Sequence, residues 1–207
     1  MVKIIDNEMS NLTDIFKVPI YQVKLNFDVT KLQSFCKKWK HNNSGEFKSN
    51  IGGYQSSPLP KDDPLIHSLI QELEQHSTSF ANEFMNNKRQ NVSELWFNIN
   101  GYKDSNAMHI HPNSILSGVY YINTPKDCGQ LQFEHPAVDS LNYYTENLVC
   151  KPSEYTAVRS VVPVIENALY IFPSWLRHSV QLNQNIKEER ISISFNTYLK
   201  PNNRKSL

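Results

Sequence analysis

The amino-terminal part of the chain has apolar residues at helical spacing in two places. Within residues 30–40 they recur at intervals of three and four, as Leu32, Phe35, Cys36 and Trp39. This period predicts a helix with one buried face. A longer stripe from Leu65 to about residue 87 predicts a second helix, which Asp62 or Asp63 can cap and in which Pro64 fits the first turn. We interpret these helices as braces packed on a sheet.

From residue 95 onward the pattern changes to short apolar or alternating segments separated by turn residues. Such segments are typical of strands, and eight can be placed, at 95–100, 107–111, 117–123, 130–134, 157–161, 168–172, 178–182 and 191–198. An edge strand is predicted within 13–24, because Pro19 cannot donate to a central ladder. Helices followed by about eight strands predict an α+β protein with a β-sandwich or barrel core.

Two polar segments interrupt this pattern. Residues 41–60 contain glycines and prolines and are predicted to be a loop, in which 51–56 form either a plain surface segment or a lid over the site. Residues 136–159 make a long connection with several aromatic and cationic side chains. Long insertions beside a rigid barrel often carry substrate selectivity, so we predict that this segment covers the substrate, with Tyr54 on the opposite rim.

Composition narrows the class of protein. The 207 residues can bury one sizeable core, so we predict a single domain, with residues 1–90 as supporting elements and 91–200 as the core. A net charge of +1 gives no signal for nucleic acid, and no apolar run or leader predicts a membrane span or secretion. We therefore expect a cytoplasmic protein. Cys36, Cys128 and Cys150 lack CxxC spacing and are predicted to be free thiols.

The candidate chemistry lies in the strand region. His109 and His111 stand two residues apart on an extended segment, so both side chains project to one side of a strand. His178 can supply a third ligand from a distant strand. Histidine sets that leave positions open for substrate and O₂ suit Fe(II). Arg190 offers a planar fork of donors that a carboxylate can accept.

At these residues the chain resembles the 2-oxoglutarate- and Fe(II)-dependent dioxygenases, in particular a branch common in phage and marine bacterial sequences. The matching motifs are HxHPxSxxSGVYY at 109–121, GxLxF at 129–133, FPSWLxHSV at 172–180 and ERISISFN at 189–196. The resemblance covers about residues 95–200. It implies a double-stranded β-helix, that is, a jelly-roll or cupin-like core. It also implies hydroxylation of a substrate not identified by the sequence, coupled to conversion of 2-oxoglutarate and O₂ to succinate and CO₂. A phage-encoded protein would act in the host cytoplasm.

The chain departs from the wider family at His111, where relatives carry the acidic residue of HxD or HxE. Three outcomes stay open. His111 binds the metal with His109 and His178, or it turns aside and water fills the position, or a nearby group such as Asn113 or Glu134 replaces it. The first outcome keeps three protein ligands and needs no rearrangement.

The resemblance also implies which residues would bind the co-substrate. By position, Arg190 and Tyr121 would hold the distal carboxylate of 2-oxoglutarate, with Ser192 on the same strand face as Arg190. Asn100 stands where relatives carry a residue near the co-substrate or substrate. An inward-facing arginine would be costly without an anion, which supports this assignment.

Two other functions are compatible with these residues. The chain could be a three-histidine cupin-type dioxygenase that does not use 2-oxoglutarate, although Arg190 would then have no dicarboxylate to bind. It could also be an inactive binding module of the same fold, with His111 as the lesion. The sequence identifies neither the prime substrate nor the oligomeric state, and a homodimer is compatible with it.

Overall fold

A computed structural model describes residues 17–85, 89–147, 151 and 153–199 of the chain. The helices are α1 (Val29–Asn42), α2 (Pro64–Asn82) and α3 (Val138–Asn147). The strands are β1 (Tyr21–Lys24), β2 (Asn50–Ile51), β3 (Tyr54–Gln55), β4 (Gln90–Asn100), β5 (Ser105–His109), β6 (Leu116–Asn123), β7 (Leu131–Glu134), β8 (Arg159–Val162), β9 (Ala168–Pro173), β10 (His178–Val180) and β11 (Arg190–Leu199). Within these residues no helix is both long and apolar enough to span a bilayer.

The strands form two antiparallel sheets that face each other. A six-stranded sheet has the order β1-β9-β6-β11-β4-β3, and a five-stranded sheet has the order β2-β5-β10-β7-β8. Apolar side chains from β6 and β9 of the larger sheet pack with those of β7 from the smaller one. This is the jelly-roll arrangement of a double-stranded β-helix, so the predicted fold class is confirmed.

The six-stranded sheet is buried on both faces, and strand alternation decides what each face carries. One face packs on α1 and α2 through residues such as Leu32, Ile66 and Ile193. The other face looks into the space between the sheets and includes Val119, Tyr121 and Phe172. The inter-sheet space therefore receives every second residue of β4, β6 and β11, and these positions include the polar residues of the candidate site.

Both long helices begin at an aspartate cap. The Asp28 carboxylate accepts hydrogen bonds from the backbone N–H groups of Thr30 and Lys31, at 3.1 and 3.3 Å. Asp63 caps α2 in the same way and is followed by Pro64 in the first turn, as the sequence predicted. Such a cap stabilises a helix by about 1 kcal/mol. The helix α2 ends at Asn82, earlier than predicted, and residues 86–88 lie outside the described residues.

Three parts of the secondary structure differ from the sequence-based expectation. The polar segment 41–60 is not only a loop, because it contains β2 and β3, which pair with β5 and β4. Strands of two residues are too short to show a period. The segment 136–159 contains α3, which was not predicted. The edge strand starts at Tyr21, after Pro19, and pairs only with β9, while residues 13–16 lie outside the described residues.

Gly118 provides a test of how tightly β6 and β11 are packed. A Cβ atom at this position would lie 2.4 Å from the ring of Phe195, its neighbour on β11. We expect Gly118→Ala to reduce the free energy of unfolding by about 1–3 kcal/mol, as measured by urea denaturation, because overpacking forces buried groups to move. Gly101→Ala is the matched control, since its added Cβ would meet no atom closer than 3.5 Å. Equal stability of the two variants would contradict this account.

Candidate metal centre

Three of the predicted site residues, His109, His111 and His178, lie close together on or next to the five-stranded sheet. The strand β10 lies between β5 and β7, and its register places His178 opposite His109. His111 does not lie on the strand, because β5 ends at His109. Its position is set instead by a hydrogen bond from its backbone N–H to the carbonyl of Ser174, at 3.1 Å, and by packing of its ring on Trp96.

The three imidazole rings are close enough to share one ion. Their centroids are 4.3 Å apart for His109 and His178, 4.8 Å for His109 and His111, and 5.1 Å for His111 and His178. One nitrogen from each ring lies within 4.8 Å of the others. A single metal ion with nitrogen ligands at about 2.1 Å fits such a group after small side-chain adjustments.

Backbone carbonyls fix the tautomers of two of these histidines. Nδ1 of His109 lies 2.7 Å from the carbonyl oxygen of Ala107, and Nδ1 of His178 lies 2.9 Å from that of Leu176. Because a carbonyl oxygen can only accept, both Nδ1 atoms carry the proton. Nε2 of each neutral ring therefore carries a free lone pair, which a metal ligand needs.

Burial keeps all three rings neutral. Desolvation lowers the pKa of His109, and it lowers the pKa of His111 to about 4, with a further contribution from the charge of His109. The pKa of His178 is lowered to about 3, mainly by desolvation and then by His109. At neutral pH these rings do not need to lose a proton before they bind a cation.

The two acidic or amide groups considered as substitutes for His111 lie elsewhere. Glu134 is on the opposite face of β7 from the inward-facing Phe133, and it forms ion pairs with Arg159 and Arg177. Asn113 is exposed in a turn, at φ +66°. Neither belongs to the group of ligand atoms that the three histidines form.

The four predicted co-substrate residues lie side by side on the large sheet. The register pairs Arg190 with Asn100 and Ser192 with Tyr121. Arg190 and Tyr121 are completely buried, and Asn100 is 1% exposed. Burial lowers the pKa of the Arg190 guanidinium and raises that of the Tyr121 hydroxyl, since both charged forms are desolvated.

Several polar atoms at this end have no partner among the described residues. They are Nε and Nη2 of Arg190, the Tyr121 hydroxyl and both amide atoms of Asn100. The remaining Arg190 nitrogen, Nη1, donates to the carbonyls of Cys128 and Gln181. Buried polar atoms without partners are rare in proteins and indicate a place for a ligand with complementary groups. Two donors from a guanidinium and one from a phenol match a carboxylate.

One cavity extends from the histidines to Ser192, one of the four predicted co-substrate residues. It is lined by all three histidines, by Ser192 and Ser194 of β11 and by Asn98 of β4. Two depressions flank its mouth and share Ile110 and His111. One is lined by polar and aromatic residues, including Lys48, Gln55, Glu94 and Trp96. The other is mainly apolar and includes Phe84, Ile115 and Trp175.

The predicted substrate cover at 136–159 stays a prediction, because part of this segment lies outside the described residues. None of the described residues of 136–159 lines the cavity or either depression. The segment before β2 and the strand β3 take part instead, through Lys48, Ser49 and Gln55. Sequence reasoning also missed Trp96, whose alternation with Asn98 and Asn100 on β4 gave a signal for an inward-facing side chain.

Two facing sheets that enclose a histidine cluster define a metal-binding protein of the cupin-like class. The model of a family described as "Putative 2OG-Fe(II) oxygenase" matches residues 94–196, which include the three histidines and Arg190. The chain belongs to the 2-oxoglutarate- and Fe(II)-dependent oxygenases. The resemblance to the phage and marine bacterial branch stays a prediction. No curated protein sequence matches the chain.

Solved structures share the fold at low sequence identity. A prolyl-4-hydroxylase from Pseudomonas putida has a TM-score of 0.64 and 16% identity, over 89% of this chain and 94% of that one. The α-ketoglutarate-dependent epimerase SnoN of nogalamycin biosynthesis has a TM-score of 0.63 and 14% identity, over 87% and 78%. HygX from Streptomyces hygroscopicus, with nickel and 2-oxoglutarate bound, has a TM-score of 0.58 and 10% identity, over 87% and 82%.

Acid should destabilise the metal-free protein through the buried histidines. In the folded protein the pKa values of His111 and His178 are about 4 and about 3, whereas histidine in an unfolded chain titrates near 6.5. Between these values the unfolded chain binds more protons, so the free energy of unfolding should decrease as the pH falls below about 6.5. Urea unfolding at a series of pH values measures the slope. His178→Gln should reduce it, because the amide does not titrate, and an unchanged slope would contradict the assignment.

Proposed function

We propose that this protein is an oxygenase that uses Fe(II) and 2-oxoglutarate to hydroxylate a C–H bond of its substrate. The observation that carries the proposal is a buried guanidinium with two unpaired nitrogens, on the same face of β11 as the lining of the histidine cavity. A metal site alone fits many chemistries. A metal site next to a receptor for a carboxylate fits a dicarboxylate that reaches from one to the other.

In this proposal His109 and His178 hold the metal through Nε2, which their backbone partners leave free. Fe(II) supplies the activation of O₂ when it is bound. The role of the chain is to orient the ligands and to exclude water. The buried side chains of Phe172 and Leu131, which line the same cavity, contribute to that exclusion.

Arg190 and Tyr121 bind the distal carboxylate of 2-oxoglutarate, and Asn100 and Ser192 complete that end of the pocket. The carboxylate accepts from Arg190 Nε and Nη2 and from the Tyr121 hydroxyl, which are the donors without partners. It also neutralises the buried cation, which in the described residues donates to two backbone carbonyls and is otherwise stabilised by the charge of Asp104. The overall reaction balances as R–H, O₂ and 2-oxoglutarate giving R–OH, succinate and CO₂.

The other two functions explain less of the structure. A three-histidine dioxygenase without 2-oxoglutarate leaves the unpaired nitrogens of Arg190 without a role. An inactive module does not require that His109 and His178 keep their Nε2 atoms free in the same cavity. Hydroxylation is the proposed outcome by analogy with the prolyl-4-hydroxylase, and the epimerase SnoN shows that the fold is also used for epimerisation.

Removal of a ligand should abolish metal binding. We expect His109→Ala and His178→Ala to lose Fe(II) binding under anaerobic conditions, because each supplies a free Nε2 lone pair. Metal content after reconstitution, together with the charge-transfer absorbance of the Fe(II) and 2-oxoglutarate complex, measures the loss. His67→Ala is the matched control, because this exposed histidine lies on α2. Full iron content in His178→Ala would refute the site.

Replacement of Arg190 should weaken the binding of 2-oxoglutarate and leave the binding of the metal nearly unchanged. Arg190→Ala should weaken 2-oxoglutarate binding by about 2–5 kcal/mol, since a charge-assisted pair is lost, while Fe(II) affinity changes little. Titration of the charge-transfer band with 2-oxoglutarate measures both. Arg190→Lys should restore binding only in part, because an ammonium cannot replace a fork of donors. Tyr121→Phe tests the same end without removing the charge and should weaken binding less. Unchanged 2-oxoglutarate binding in folded Arg190→Ala would favour the three-histidine alternative.

A further inference from the structure

The Asn196 side chain contacts the ring of His111, and the sequence analysis did not consider it. Asn196 is 2% exposed and lies on β11, opposite Ser117 of β6 and Glu94 of β4. Its Oδ1 accepts a hydrogen bond from the Ser117 hydroxyl at 2.7 Å. Its Nδ2 donates to Oε1 of Glu94 at 3.2 Å and lies 3.5 Å from Nδ1 of His111.

These partners fix the orientation of the amide. A carboxylate oxygen only accepts, so the atom of Asn196 that faces Glu94 must be the NH₂ group. The reversed amide would place Oδ1 against Oε1 of Glu94, with two acceptors in contact. The Ser117 hydroxyl can donate to Oδ1, which agrees with the orientation that Glu94 requires. The second proton of the NH₂ group is then available to Nδ1 of His111.

The hydrogen-bond partner of His111 Nδ1 is therefore of a different kind from those of His109 and His178. Nδ1 of His109 and of His178 faces a carbonyl acceptor and carries the proton. Nδ1 of His111 faces a donor and must hold a lone pair, so in the neutral ring the proton is on Nε2. Neither nitrogen of His111 then offers an unshared lone pair. One accepts from Asn196 and the other is protonated.

We propose that Asn196, oriented by Glu94 and Ser117, is a positioning residue that holds His111 in the Nε2–H tautomer and thereby decides whether the third histidine coordinates the metal. The consequence for metal coordination rests on the proposed function, whereas the tautomer of His111 can be tested without it. Coordination by His111 requires the amide of Asn196 to turn over, and the negative charge of Glu94 opposes that turn. The resting centre consequently offers two free histidine nitrogens, and a small ligand from solvent can occupy the position of the missing carboxylate.

The tautomer can be measured directly in the metal-free protein. Long-range proton–nitrogen correlation spectra of ¹⁵N-histidine protein distinguish Nδ1–H from Nε2–H rings, and His111→Gln assigns the signals of His111. We expect Nδ1–H patterns for His109 and His178 and an Nε2–H pattern for His111. An Nδ1–H pattern for His111 in the wild-type protein would overturn the proposal. This result does not depend on turnover of 2-oxoglutarate, so it stands or fails separately from the proposed function.

Two substitutions test the control by Asn196. Asn196→Asp replaces the donor with a carboxyl group that shares a proton with Glu94 and accepts from Nδ1–H of His111 through a remaining lone pair, so His111 should change tautomer and metal affinity should rise by about 10-fold or more. Glu94→Gln allows the amide to turn over and should raise the Nδ1–H population of His111. Both changes are measured by the same spectra, with competition titrations of Co(II) or Fe(II) for the affinity.

Asn98→Asp is the matched control. Asn98 lines the same cavity but is bonded to Asn106, so its variant adds a negative charge to the cavity without touching His111. It should leave the tautomer of His111 unchanged and increase metal affinity less than Asn196→Asp does. Equal gains in affinity with no change of tautomer in either variant would reduce the effect to general electrostatics and overturn the proposal.

Discussion

The arrangement of this protein depends on how it accommodates the charge of Arg190, which is fully removed from water. Arg190 begins β11 and is completely buried, and its hydrogen-bond acceptors among the described residues are two backbone carbonyls. Transfer of a cation from water to a protein interior costs several kcal/mol unless it is paired. The register places polar side chains near Arg190, namely Asn100 of β4, Tyr121 of β6 and Ser192 of β11 itself, and leaves Nε and Nη2 of the guanidinium without partners among the described residues. A site that is unfavourable without an anion is also selective for one.

Side chains alternate between the two faces of the large sheet. One face carries residues that stabilise the fold, and the other carries residues of the candidate site. Ile191, Ile193 and Phe195 of β11 pack toward the helices, and Ser192 and Ser194 line the cavity. Each strand thus contributes both to the core that holds the domain together and to the site. This explains why the helices α1 and α2 matter for function although they supply no described residue to the histidine cluster. They cover the apolar face and leave the opposite face free to carry polar groups.

The sequence allowed much of this to be predicted where the signals were local. The eight strands after residue 90, the cap of α2 and the grouping of the histidines follow from period and spacing. The errors concern features that depend on tertiary contacts. His111 appeared to share a strand with His109, but the strand ends earlier and a contact with Ser174 places the ring. The strands β2 and β3 are too short to show a pattern. The link from Asn196 to His111 joins residues 85 positions apart, which no local signal can reveal.

The central place of β11 has a consequence for how the chain acquires its shape during synthesis. β4 and β6 are not paired with each other, and both pair with β11, the last strand of the described chain. β1 likewise finds its partner only in β9, since Tyr21 is opposite Ile171. A ribosome must therefore release almost all of these strands before the large sheet can close, and the edges of β4 and β6 stay open until then. The pocket around Arg190 therefore cannot be complete until β11 has paired with β4 and β6.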